Sequence, residues 1–116
     1  MPEQPDIFCK IIDGEIPSEK VYEDDDVFAF KDINPAAPTH ILVIPKEHIA
    51  SLWEADEDQA ELLGTLMLRA RDIAAEQGLE DDGFRLVLNT GAGVGQSVFH
   101  IHLHVIGGRD LSWPPG

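Results

Sequence analysis

Histidine and apolar residues alternate without a break through Phe99-His100-Ile101-His102-Leu103-His104-Val105, and Ile106 closes the run. Successive side chains of a β-strand point to opposite faces, whereas a helix scatters them around its circumference. The pattern predicts a strand over 98–106. It puts His100, His102 and His104 on one face and Phe99, Ile101, Leu103 and Val105 on the other. The apolar face belongs in a core. Residues two apart on a strand lie roughly 6.6–6.8 Å from each other, so three imidazoles can surround one small anionic group. Three neutral imidazoles make a poor core surface, which marks their face as a site. A lone histidine on an apolar strand is usually a hydrogen-bonded structural residue. A metal chelate is the rival reading here, because His-x-His on a strand is good ligand geometry.

The chain enters this run through Asn89-Thr90-Gly91-Ala92-Gly93-Val94-Gly95-Gln96-Ser97. Alternating glycines free the backbone for close approach to a ligand, and the N–H groups of such a turn can form an anion-binding nest. A dinucleotide fingerprint is excluded, because its glycines leave a strand and open a helix. There is no Walker A sequence either. A glycine-rich cradle that delivers the chain into clustered imidazoles suggests a phosphate held against a histidine.

At 116 residues the chain is one small domain, 1–116, and 43% apolar residues suffice for one compact core. Cys9 is the one cysteine, so no internal disulfide forms. The formal net charge is −14, from 22 acids against 8 Lys plus Arg. That balance argues against nucleic acid, whose phosphate backbone calls for a basic patch. The acids cluster at Glu23-Asp24-Asp25-Asp26, Glu54 to Glu61 and Glu80-Asp81-Asp82, and read as solvated turns or helix faces. No stretch reaches the length of a membrane span and no signal peptide opens the chain, so the cytoplasm is the expected location.

Residues 5–13 read as a short helix with Ile7, Phe8, Ile11 and Ile12 on one side and Gly14 at its end. Val21 to Glu23 and Val27 to Phe30 read as a hairpin about an acidic turn. His40 to Pro45 reads as a further strand. Residues 57–77 form the main helix, with Leu62, Leu66, Ala70, Ile73, Ala74 and Gln77 at helical spacing. Asp56 and Gln59 make a capping box at its start and Gly78 supplies its stop. Phe84 to Asn89 is another strand. The order is that of an α+β fold, a mostly antiparallel sheet with a helix on one face.

The run His100-x-His102-x-His104 followed by two apolar residues resembles the histidine triad (HIT) motif. Gly95 to Arg109, Ile7-Phe8-x-Lys10-Ile11-Ile12, Ala37 to Lys46 and the closing Trp113-Pro114-Pro115-Gly116 resemble the Hint branch of that family. The likeness runs from Asp6 to Gly116. It implies a five-stranded antiparallel sheet with one long and one short helix, and a homodimer in which two sheets join as ten strands. It also implies a purine nucleoside phosphoramidase that needs no metal or other cofactor and cleaves a phosphorus–nitrogen bond through a nucleotidyl-histidine. Two other readings stay open. One is a dinucleoside polyphosphate hydrolase or nucleotidyl transferase of a sister branch, and the other is a non-catalytic nucleotide-binding regulator. The Trp-Pro-Pro-Gly ending favours the first reading.

Carried over position by position, the likeness makes His102 the nucleophile, with one ring nitrogen held by a backbone carbonyl near His100. It puts His104 against the phosphate and the leaving amine, and His40 beside the triad. Asn89, Gln96, Ser97 and the Gly95 backbone hold phosphate oxygens and the leaving group. Asp32 accepts both ribose hydroxyls, while Ile7, Phe8, Phe30 and Ile33 enclose the base. Lys31 departs from the histidine that many animal members carry there. The tail, about 109–116, with Trp113, lies near the partner's site in family dimers. His48 reads as structural. Some branches hold zinc through two cysteines and histidines matching His48 and His100. Here the first cysteine position is Asp6 and only Cys9 remains, so no metal is expected.

Overall fold

The structure, a computed structural model, describes residues 6–116. Helix α1 (Ile7–Ile12) comes first, then β1 (Lys20–Glu23), β2 (Val27–Lys31) and β3 (Thr39–Pro45). The long helix α2 (Ala60–Glu76) follows, and β4 (Arg85–Val87) and β5 (Leu103–Gly107) complete the order. The strands form one antiparallel sheet in the order β1-β2-β3-β5-β4. This is the α+β architecture expected, with the five strands, the long helix and the short one. Residue 5, where the short helix was expected to begin, lies outside the described residues. Asp6 caps α1, its Oδ1 accepting from the Cys9 N–H at 2.8 Å.

Residues opposite each other across an antiparallel pair share a face, so the register sorts the core into two layers. Val27, Ala29, Ile41, Val43, Leu103 and Val105 face α2 and pack on Leu66, Ala70, Ile73 and Ala74. Phe28, Phe30, Leu42 and Ile44 face the other way, under Phe8 and Ile11 of α1. His40, His104 and Ile106 continue this second face onto β3 and β5. At this histidine end His104 and Ile106 stay half-buried, whereas the residues under α1 are buried.

The capping box at Asp56 and Gln59 forms as expected, with the Asp56 N–H donating to Gln59 Oε1 at 2.8 Å. Residues 57–59 are a 3₁₀ turn rather than α-helix, and α2 begins at Ala60. The acidic run after Glu23 is more than a solvated turn. Asp24 Oδ1 accepts from the backbone N–H groups of Asp26 and Val27, both at 2.8 Å, while Oδ2 accepts from Tyr22 Oη at 2.6 Å and Arg69 Nε at 3.3 Å. One carboxylate thus builds the hairpin turn and ties it to α2.

Two expected strands are shorter than the alternation suggested. β4 covers Arg85–Val87 rather than Phe84 to Asn89, and β5 begins at Leu103 rather than Val98. β4 ends at Val87, whereas β3 runs on to Pro45 without pairing to β5 beyond Val43. Val43 opposite Leu103 and Val87 opposite His104 are the last pairs. Before Leu103 the backbone bonds elsewhere: Ile101 N–H donates to Ile49 O at 2.7 Å, and Gln96 Nε2 donates to Val98 O at 3.1 Å. Ile101, Leu103 and Val105 are buried as the alternation requires, but Phe99 is 49% exposed. With no neighbouring strand at residue 99, nothing holds it to the pleat.

Candidate active site

Only His104 of the three alternating histidines lies on a strand; His100, in a bend, and His102 sit in the segment that leads into it. The rings therefore separate into two environments instead of surrounding one anion. His102 and His104 remain neighbours, their ring centroids 5.1 Å apart, and His40 stands 5.1 Å from His104 on the adjacent strand. His100 turns away and is fully buried.

Hydrogen bonds fix the tautomers. His102 Nδ1 lies 2.8 Å from the His100 carbonyl oxygen, which can only accept. Nδ1 therefore carries the proton, and Nε2 keeps its lone pair. Burial pushes the His102 pKa below the ordinary histidine value, although the bond to the His100 carbonyl opposes this. A neutral imidazole with a bare Nε2 is a nucleophile in its reactive form. Phe8 meets His102 edge-on at 5.0 Å and Phe30 at 5.5 Å, so the first turn of α1 walls this ring.

The Ala36 N–H donates to His40 Nδ1 at 2.9 Å. His40 Nε2 then carries the proton and lies 2.8 Å from His104 Nδ1 and 3.3 Å from Asp32 Oδ2. His104 Nδ1 accepts, so its own proton is on Nε2. Burial, with His102 and His40 adding to it, holds His104 down to about 4. Asp32 Oδ1 accepts from the Asn34 N–H at 2.8 Å, which fixes the carboxylate at the end of β2. A cavity of about 430 Å³ opens beside Asp32, Ile33 and His40. Ile33 is 90% exposed and Ile7 47%. Among the expected base-enclosing residues, Phe8 and Phe30 are core, while the two isoleucines stand free to meet a ligand. Lys31 pairs with Glu19 at 3.5 Å.

The phosphate cradle needs correction at one residue. Gln96 is 2% exposed and its amide is fully engaged. Nε2 donates to Ala50 O at 2.7 Å as well as to Val98 O, and Oε1 accepts from the Gly91 N–H at 2.9 Å. Gln96 therefore shapes the glycine loop and has no donor left for a phosphate. Gly95, with φ +106°, lies against Asn89, whose Nδ2 is 3.4 Å from where a Cβ would stand. Ser97 is exposed and Asn89 half-buried at the mouth of the loop.

His100 belongs to a second cluster. Its Nε2 lies 2.8 Å from Pro45 O and its Nδ1 lies 3.1 Å from Asp6 Oδ2. Both ring nitrogens are thus engaged away from the cleft, so His100 is not placed to touch a phosphate. The same Asp6 oxygen is 3.0 Å from His48 Nδ1. Cys9 Sγ lies 3.9 Å from His48 Nδ1 and 3.6 Å from His100 Nδ1. These four donor atoms all lie within 4.8 Å of one another. Two imidazoles, a carboxylate and a thiol are a donor set that could hold a divalent cation. Burial tends to raise the Asp6 pKa, but the Cys9 N–H and the charges of His100 and His48 outweigh it and leave the carboxyl below its usual range. The family likeness had already set Asp6, Cys9, His48 and His100 together as the positions of a zinc site; what sequence reasoning missed is that the Asp6 carboxylate contacts both histidines directly. The signal available was the helix-capping position of Asp6.

Comparisons with known proteins agree with this geometry. The family model for the HIT domain matches residues 13–111. The chain is 53% identical to the 14 kDa zinc-binding protein of Zea mays, over 98% of this chain and 90% of that one. A HIT family hydrolase from Legionella pneumophila superposes with a TM-score of 0.93 at 52% identity, covering 95% of this chain and 98% of the other. A histidine triad nucleotide-binding protein from Candida albicans superposes with a TM-score of 0.83 at 34% identity, covering 95% and 83%. The motif, the sheet and the tautomer-fixed histidines occur together in one domain, and this chain belongs to the HIT domain family.

Proposed function

We propose that this protein is a metal-independent nucleoside phosphoramidase that works through a nucleotidyl-His102 intermediate. One observation carries the reading: His102 is buried, neutral by environment, and held by the His100 carbonyl so that Nε2 is bare. Nε2 attacks the α-phosphorus, a phosphorus–imidazole bond forms, and the bond to the leaving amine breaks. Binding of the anionic phosphate favours uptake of one solvent proton on His104, at Nδ1 in place of the hydrogen bond from His40; the amine then leaves with the Nε2 proton, and His104 is left neutral. Water then attacks the same phosphorus, returns a proton to His104, and releases nucleoside monophosphate from neutral His102. Asn89, Ser97 and the Gly95 backbone are the oxygen-binding groups of the reading, and Asp32 takes the ribose hydroxyls. The hydrolase and nucleotide-binding names of the Legionella and Candida relatives agree with a nucleotide substrate.

A homodimer joined through β4 completes this proposal. β4 is an edge strand of three residues, and α2 presents Met67 at 55% and Leu68 at 48% exposure. The zinc named for the maize relative has a counterpart donor set here in Asp6, Cys9, His48 and His100, about His100 rather than the phosphate. A cation there would brace the structure and leave the chemistry of His102 to the imidazole.

The test compares hydrolysis of a purine nucleoside phosphoramidate, an aminoacyl adenylate and a dinucleoside polyphosphate by the same preparation. The phosphoramidate is expected to turn over fastest. Faster cleavage of the polyphosphate would favour the sister-branch reading, and no turnover of any would favour a binding protein.

A further inference from the structure

We propose that Asp6 is a positioning residue for the nucleophile, and that it joins the helix carrying one wall of the cleft to the residue that fixes the tautomer of His102. This rests on the reading of His102 as nucleophile, but its structural half can be tested without any substrate.

The two oxygens of the Asp6 carboxylate have different partners. Oδ1 caps α1 through the Cys9 N–H at 2.8 Å. Oδ2 reaches out of the helix to His100 Nδ1 at 3.1 Å and His48 Nδ1 at 3.0 Å. The far side of the His100 ring bonds Pro45 O at 2.8 Å, at the end of β3. His100 is thus gripped at both ring nitrogens, and the ring cannot turn without breaking one of them. Its own backbone carbonyl then meets His102 Nδ1 at 2.8 Å. The segment relies on this grip together with the Ile101 N–H bond to Ile49 O, because it lies outside the β-ladder: among the described residues no strand pairs with residues 100–102. A carbonyl in a loose segment would not hold one imidazole tautomer. The same capped turn carries Phe8, whose ring stands 5.0 Å from His102 and 6.0 Å from His100. Asp6 therefore fixes the wall and, through His100 94 residues further along the chain, the nucleophile with one side chain.

Two substitutions separate positioning from mere helix stability. Ser is as good a helix cap as Asp but is too short to reach the histidines. Asn caps equally well and can still reach them through its amide. Asp6→Ser is expected to keep the melting profile and AMP affinity within about twofold of wild type. Its kcat should fall roughly 10–100-fold, the loss typical when a supporting hydrogen bond behind a reactive group is removed. The ring-nitrogen NMR shifts of His102, read without substrate, should move from a single Nδ1–H tautomer to a mixture. Asp6→Asn should restore most of both. An unchanged His102 tautomer in Asp6→Ser would overturn the proposal, whatever the activity did. So would a fall in kcat matched by equal losses of stability and nucleotide binding. Wild-type protein stripped with chelator must keep the single tautomer; its loss on chelation and return with zinc would assign the grip to a metal instead of to Asp6. Were the phosphoramidase reading wrong, the tautomer shift would still appear while no substrate turned over.

Discussion

His40 and His104 share one hydrogen bond, Nε2 to Nδ1 at 2.8 Å, and the Ala36 N–H behind His40 fixes its direction. The proton between the rings belongs to His40, which leaves the His104 Nε2–H facing outward from the pair. Backbone geometry near a proline-marked loop thus decides which way the His104 imidazole presents its proton.

Because both cleft histidines are held neutral, activity should tolerate mild acid. Burial pushes His102 below the ordinary value of 6.5, and His104 falls to about 4. The neutral fraction of a depressed histidine persists as pH drops through 6.5 and is lost only nearer its own pKa. The acid limb of kcat/KM, which reports the free protein, is expected to have its midpoint below 6.5. A midpoint at or above 6.5 would mean that His102 is not held neutral by its surroundings.

Asp32 should read the sugar more than the base. Its carboxylate is fixed by the Asn34 N–H and lies 3.3 Å from His40 Nε2. Removing a ribose hydroxyl leaves a partly buried acceptor under-satisfied, whereas apolar walls such as Ile33 read shape. Asp32→Asn is expected to narrow the ratio of kcat/KM for ribo over deoxyribo substrates more than it alters adenine over guanine. An unchanged ribo/deoxy ratio would remove Asp32 from the sugar site.

Asp24 should be a stability residue with a pH signature. Its pKa is lowered from 3.8 to about 2: burial opposes the shift, and the bonds from Tyr22, Asp26, Val27 and Arg69 outweigh it. A depressed carboxylate contributes stability above its unfolded pKa and loses it as pH falls through the folded one. Asp24→Ala is expected to cost about 2 kcal/mol at neutral pH, from lost turn and cross-element hydrogen bonds. The gap between variant and wild type, followed by urea unfolding, should shrink between pH 4 and pH 2. A gap independent of pH would place its origin outside the carboxylate charge.

The net charge of −14 per chain makes an anionic substrate approach against a repulsive field. Salt screens that field over a Debye length of about 10 Å at 0.1 M. kcat/KM is expected to rise or hold as inert salt increases from low to moderate concentration. A steep fall, in protein shown to stay folded, would reveal a positive funnel that outweighs the net charge.

Much of this was legible in the residues. Alternation identified Ile101, Leu103 and Val105 as core and His104 as a face residue, because period-two patterning follows directly from the pleat. It failed at Phe99, since the pattern cannot say where a partner strand stops. The capping box at Asp56 was legible because its bonds are local. The cluster of Asp6, Cys9, His48 and His100 was named only through the family likeness and not by spacing, because Asp6 and Cys9 on α1 meet His48 and His100, 39 to 94 residues further on, only after the sheet has formed. Gln96 was misread for a related reason: its partners Ala50 and Val98 come from two loops whose approach no local spacing records. The division of the triad into His100, held at both ring nitrogens, and His102 with His104 at the cleft is tertiary information.

The most direct measurement is the mass of the intact protein, quenched in base during turnover of a nucleoside phosphoramidate and then mapped by peptide. The account predicts one nucleotidyl group on His102, and none in His102→Ala, whose turnover should fall by several orders of magnitude with the fold retained. An adduct on a different residue, or near-normal turnover by His102→Ala, would contradict it.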